Sequence, residues 1–197
     1  MASPFERPGP REQQRLRTRA QLFEAALAEF AKVGFERASI AEIARAVGVS
    51  RPSFYFHFPT KDHVLLELQW HKENEIVEQL RPAADLRALL EALPDAVCDA
   101  YDSIEGPGVA RDVAFVYARR PAKLPLAEQP FPLVRLLEER FAAGAARGEL
   151  RAGIEPERAP LMCLTSVFGY LIANRPEAER RADLRTIAGL FLPEGVD

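Results

Sequence analysis

Cysteine is nearly absent from this chain, and its two cysteines, Cys98 and Cys163, stand far apart in apolar stretches. They form no CxxC or Cys/His pattern, which excludes a disulfide framework and the common zinc spacings. Each thiol then reads as a small buried hydrophobe, and a redox pair would need the fold to bring the two together. Histidine is almost as sparse, with His57, His63 and His71. His63, Glu67 and His71 share a helical face at four-residue steps, but eight residues of helix span ~12 Å, too far for one ion. Neither a metal nor any other cofactor is expected. No apolar run approaches the ~20 residues of a membrane span. The first nineteen residues are polar and Arg-rich, with no apolar core before a cleavage site, so a cytoplasmic location is expected. There is no sustained β alternation, no repeat and no low-complexity tract. A Gly-rich phosphate loop, a GxSxG elbow, paired catalytic carboxylates and a Cys/His constellation are all missing, and no enzyme is expected.

What is present fits an ordinary globular protein: 197 residues, 48% hydrophobic and 28% charged. The net charge of −3 conceals an asymmetry. Residues 1–65 hold ten Lys/Arg against seven Asp/Glu, and residues 66–197 hold sixteen against twenty-two. A basic N-terminal module that meets phosphates, joined to an acidic body, matches that distribution.

Apolar periodicity predicts helices throughout. After a flexible arm over 1–10, Leu16, Ala20, Phe23, Leu27 and Phe30 mark one face of a helix ending before Gly34. Ser39 with Glu42 gives the capping-box start of a short helix stopped by Gly48. Ser50 caps the next, where Pro52 is tolerated in the first turn. Thr60 opens a longer one towards Leu80, and five more are predicted at about 83–103, 109–119, 131–147, 157–173 and 179–192. Pro94 and Pro160 fall inside these patterns and are expected to kink a helix or move its boundary.

Residues 39–58 carry the chemistry. Two short helices around a Gly-containing turn, the second with a polar and aromatic face, are what a helix-turn-helix requires. Ile40, Ile43, Ala44 and Val47 are expected to pack on the first long helix, with Val49, Phe54 and Phe58 anchoring the second. Arg51, Pro52, Tyr55 and Phe56 then share its other side. Arg51 suits guanine, and Pro52 or Phe56 suits thymine methyls. Ser39, Ser50, Ser53, Tyr55, His57 and Lys61 suit contacts that set register, including phosphate contacts. A small three-helix bundle with exposed aromatics, or a helix-turn-helix used for protein contact, is the alternative reading.

The run Gly34 to Leu65, through Ile43-Ala44, Gly48-Val49-Ser50, Ser53-Phe54-Tyr55, His57-Phe58 and Lys61, closely resembles the N-terminal domain of the TetR family of bacterial repressors. The match spans about residues 11 to 66, a third of the chain. Pro52 replaces the more usual Gly or Ala, and Phe54 the more usual Leu. The resemblance implies an all-α protein: an N-terminal three-helix DNA-binding domain over 11–60, then a C-terminal helical effector-binding and dimerisation domain over 61–197. It further implies a homodimer on double-stranded operator DNA, released by a small-molecule effector. The dimer residues would be Leu164, Phe168, Leu171, Ile187 and Leu190. Pocket candidates are Tyr101, Phe115, Tyr117, Phe141, Met162 and Tyr170, and the shortage of internal charge motifs favours an apolar or aromatic effector. A helix-turn-helix adaptor that binds a protein without DNA is the alternative. The helix after Thr60 is expected to be the only covalent link between the two domains.

Overall fold

The computed structural model describes residues 9–106, 108–118, 131–173 and 176–194. The arm expected over 1–10 lies outside these, apart from its last two residues. Among the described residues there are nine helices and no strand: α1 (Pro10–Val33), α2 (Ile40–Val47), α3 (Arg51–His57), α4 (Lys61–Leu80), α5 (Leu86–Asp102), α6 (Val109–Ala118), α7 (Pro132–Ala146), α8 (Ala159–Ile172) and α9 (Glu177–Gly189). The chain divides into two compact units. The first holds residues up to Leu65 together with Glu105–Val109, and the second holds Leu66–Ile104 and the rest from Ala110. The helix after Thr60 is therefore not the sole link, because the chain returns to the first unit at Glu105. Gly106 fixes that return: at φ 106° it brings its backbone so close to α1 that an added Cβ would stand 2.5 Å from the Ala31 Cα.

In the first unit the apolar stripe of α1 begins later than its periodicity suggests. Leu22, Phe23, Ala26 and Phe30 are buried, but Leu16 is 46% exposed and Ala20 is exposed. The early turns extend past the residues that could cover them. Gly48 ends α2 in the left-handed region, at φ 74° and ψ 27°, where a side chain would be strained. Its N–H and that of Val49 then satisfy the last carbonyls of the helix. The capping box at Ser39 does not form. Ser39 holds the N-cap position without a side-chain bond, and the Glu42 carboxylate pairs with Arg45. Ser50 does cap α3, its Oγ accepting from the Ser53 N–H at 3.3 Å.

Lys61, expected to touch phosphate, is engaged within the unit. Its Nζ donates to the carbonyls of Phe35, Glu36 and Ala38 at 2.9, 3.2 and 3.1 Å, and it lies 4.9 Å from the centre of the Phe35 ring. An ammonium has three N–H donors, and all three are directed at the α1–α2 loop. Lys61 is a loop staple here.

The second unit is an apolar bundle with two polar features. Pro94 does not break α5; the missing N–H bond is outweighed by buried Leu90, Leu93 and Val97, each at most 1% exposed. Pro160 falls in the first turn of α8 and moves its start from 157 to Ala159. On α5, Asp95, Asp99 and Asp102 face Arg180, Arg181 and Arg185 of α9 in a ladder of ion pairs. Asp95 is held below the ordinary carboxylate range chiefly by its bond from Arg185. Deeper, Gln69 and Glu73 are fully buried. Gln69 Nε2 donates to Glu73 at 2.9 Å, Tyr101 donates to Gln69 Oε1, and the other Glu73 oxygen accepts the Leu133 N–H at 3.0 Å, at the start of α7.

Both cysteines are free and buried. Burial raises the Cys98 thiol and pushes Cys163 up to about 12. Such a group stabilises the fold below its unfolded value of 9.0 and loses that contribution as pH rises towards about 12. Both thiols should therefore resist alkylation in the native chain at pH 8 and react once it is unfolded. Rapid native labelling of Cys163 would contradict its burial. Lys61→Met should lower stability by about 1–3 kcal/mol, read from denaturant melts, because it strips charge-assisted bonds from three carbonyls.

Candidate nucleic-acid interface

The short helix α3 displays its face because its opposite face is fixed. Phe54 and Phe58 are wholly buried, with ring centres 5.7 Å apart. With positions i and i+4 turned inward, Arg51, Pro52, Tyr55 and Phe56 are left outward, and all four are exposed. Phe56 is 73% exposed and Tyr55 43%. Large rings offered to water beside a free guanidinium suit a surface built to be covered. A guanidinium there can donate two bonds to a guanine edge, while the rings and Pro52 can meet methyl groups.

Both ends of α3 are tied down. Ser50 caps the start, and at the other end Arg19 of α1 donates to the His57 carbonyl at 2.5 Å. The same guanidinium lies over the Phe58 ring, 4.2 Å from its centre. His57 is half-buried, and its ring stands edge-on to Phe56 at 5.1 Å. Partial burial, then the charges of Arg19 and Arg15, hold its pKa below the ordinary histidine value. Both influences favour the neutral form of the His57 ring. Ser50 is exposed, whereas Ser39 and Ser53 are half-buried. The Thr60 hydroxyl meets His63 Nδ1 at 2.9 Å. Lys61, bound to three carbonyls, stands apart from the exposed set.

The residues expected in the second unit scatter. Tyr101 and Phe141 are buried, at 2% and 0% exposure, and Tyr170 is half-buried with its hydroxyl on Asp183. Phe115 and Met162 are not interior, being 45% and 50% exposed. The Tyr117 side chain lies outside the described residues. Of the expected dimer residues, Leu164 and Phe168 fill the core of the chain itself at 3% exposure, and Leu171 and Ile187 are half-buried. Leu190 alone of the five is exposed, at 52%. The outward apolar residues of α8 are instead Leu161, at 71%, and Met162. Two polar features escaped the sequence reading. The α5–α9 ladder had a signal, carboxylates at 95, 99 and 102 and arginines at 181 and 185 in helical register. The Gln69–Glu73–Tyr101 cluster had none, since an i, i+4 polar pair on a long helix ordinarily faces water.

The profile described as bacterial regulatory proteins, tetR family, matches residues 22–68. The A-factor receptor protein of Streptomyces griseus is 26% identical over 171 residues, 86% of this chain and 59% of that one. The probable acrEF/envCD operon repressor of Escherichia coli K12 is 33% identical over 66 residues, 34% of this chain and 30% of that one. The chain thus spans about three fifths of the first relative and under a third of the second. A solved structure concerned with control of antibiotic production by bacterial hormones is similar at a TM-score of 0.61 and 26% identity, covering 90% of this chain and 98% of that one. From the buried Phe54 and Phe58, the Gly48 turn and the exposed face of α3 to these matches, the same segment is picked out: residues 22–68 are similar to the tetR family of bacterial regulatory proteins, and most of the chain is similar to the A-factor receptor protein.

Proposed function

We propose that this chain is a transcriptional repressor that binds a pseudo-palindromic operator as a homodimer and is released by a small molecule. The observation that carries this reading is the exposed quartet Arg51, Pro52, Tyr55 and Phe56 on a helix capped and clamped at both ends. A recognition helix must be both rigid and uncovered to read base edges in the major groove. The first unit reads DNA, the second senses and dimerises, and the chain performs no catalysis. It works in the cytoplasm; no helix among the described residues is long and apolar enough to cross a membrane.

Dimerisation is assigned to the outward faces of α8 and α9. Leu161, Met162 and Leu190 are exposed apolar residues available to such a contact, and exposed Gly169 leaves room for a close helix crossing. A two-fold dimer presents two copies of α3 to half-sites about 34–36 Å apart, or a multiple of that. The effector is assigned to the second unit, with buried Tyr101 and Phe141 and half-buried Tyr170 as its aromatic candidates. An apolar or aromatic molecule suits such side chains, and Gln69, bonded to Tyr101, is a polar group beside one of them. The name of the Streptomyces relative, a receptor for A-factor, supports a small-molecule signal.

Arg51→Ala should weaken binding to the selected operator by about 1–3 kcal/mol and relax base preference at one position per half-site. Unchanged selectivity in a binding titration against single-base operator variants would remove Arg51 from the reading face. Leu190→Asp should give folded monomers by sedimentation, with melting nearly unchanged, that bind operator poorly. Phe168→Asp should unfold the chain, because its side chain is inside. An effector that lowers operator affinity must lose affinity by the same factor when operator is bound, typically ~1–3 kcal/mol. Calorimetry with and without operator reads that reciprocity, and equal affinities would refute effector control.

A further inference from the structure

The first turns of α1 run well beyond the packed part of their unit. Every residue from Pro10 to Arg17 is exposed, and complete burial begins at Leu22. An unpacked stretch of helix gains nothing from tertiary contact, and this one concentrates charge of one sign: Arg11, Arg15, Arg17 and Arg19 against Glu12. Arginines at four-residue steps lie on nearly one line, ~6 Å apart along the axis. Arg11, Arg15 and Arg19 form such a row.

The inner end of the row is fixed by contact. Arg19 is bonded to the carbonyl of His57, the last residue of α3, and stacked on Phe58. Along α1, Arg15 stands about one helical turn, and Arg11 about two turns, ~12 Å, to the N-terminal side of that contact. Arg15 is close enough for its charge to act on His57. Its one partner of opposite charge among the described ion pairs is Glu12, at 3.6 Å with both side chains about half exposed, a pairing worth little in water. Arg17 points to nearly the opposite side of the helix, ~200° from Arg15.

We propose that Arg11 and Arg15 form a second DNA-binding surface, gripping the phosphate backbone beyond the C-terminal end of α3. The proposal rests on the reading of α3 as the base-reading helix. Two arguments select DNA as the occupant. The row starts at the C-terminal end of α3, where Arg19 bonds the carbonyl of His57, the residue after exposed Phe56, so a duplex lying along the α3 face has the row at that edge. Its charge is complementary to a polyanion, and mutual repulsion along the row is relieved when phosphates approach. Arg19, already committed to α3, positions the row.

The test uses the full chain and a duplex enriched by the wild type from a random library, with binding measured between 0.05 and 0.3 M salt. Each phosphate contact contributes about 0.9 to the slope of log K against log salt. The Arg11→Ala/Arg15→Ala double variant should lose about 1.8 from that slope per bound subunit. Its affinity at 0.1 M salt should fall more than tenfold, with base preferences unchanged. Arg17→Ala should leave the slope unaltered, and Arg15→Lys should keep most of it. These side chains are exposed, so circular dichroism and melting should match the wild type. A double variant with the wild-type slope would overturn the proposal while leaving the reading of α3 intact. An equal loss with Arg17→Ala would reduce the row to diffuse charge and overturn it too. A wild type that enriches no duplex would overturn both readings together.

Discussion

Seven residues make two turns of helix, well short of the ~12–15 at which an isolated helix begins to persist in water. Helix α3 therefore keeps its shape through its neighbours, and most of the first unit is arranged to provide for it. Phe54 and Phe58 supply the apolar anchor, each wholly buried. Ser50 satisfies an N–H at one end, and Arg19 takes a carbonyl at the other. Lys61 then ties the next helix to the loop that leads into α2. A helix held this way has no freedom about its axis, and so the residues between its anchors are exposed as a defined set.

The same logic separates α8 from α3. Helix α8 is apolar on nearly every side, so its composition cannot say which face is inside. The chain buries Cys163, Leu164, Val167 and Phe168 and leaves Leu161 and Met162 out. In α9 the division is electrostatic. Arg181 and Arg185 turn towards the carboxylates of α5, Leu184 and Ala188 go inside, and Leu190 is left to water. Exposed ion pairs of this kind contribute little stability one by one, but as a ladder they fix the rotation of α9 and with it the direction of its outer face.

Much of this was legible in the sequence, for reasons that can be named. Gly34, Gly48 and Pro59 punctuate the first unit, so α1, α2 and α3 end close to where their stop signals stand. The outward quartet of α3 followed from helical spacing once Phe54 and Phe58 were assigned inward. What failed was whatever depends on contacts distant in sequence. Periodicity continues through Leu16 although nothing covers it. Nothing in the spacing shows that Lys61 is held by the loop at 35–38. Ser39 and Glu42 have capping-box spacing, but Arg45 competes for the carboxylate. The end of α9 at Gly189 rather than 192 reflects Arg151, which bonds the carbonyls of Phe191 and Leu192.

If the chain acts as proposed, release of DNA would begin in the second unit and end at α3, and the covalent routes between the units are two. One is α4, whose first residue holds the loop before α2 through three hydrogen bonds. The other is the segment Glu105–Val109, seated on α1 at Gly106 with no room for a side chain. A coupling of ~1–3 kcal/mol is typical of allosteric proteins, and a few charge-assisted hydrogen bonds have the same magnitude. No large rearrangement is therefore needed. Because α1 carries both the seat of Gly106 and the Arg19 clamp on α3, a small shift of the 105–109 segment has a short path to the recognition helix, through one continuous helix and one guanidinium. The tight fit at Gly106 makes that path stiff, and a stiff contact transmits displacement where a loose one would absorb it.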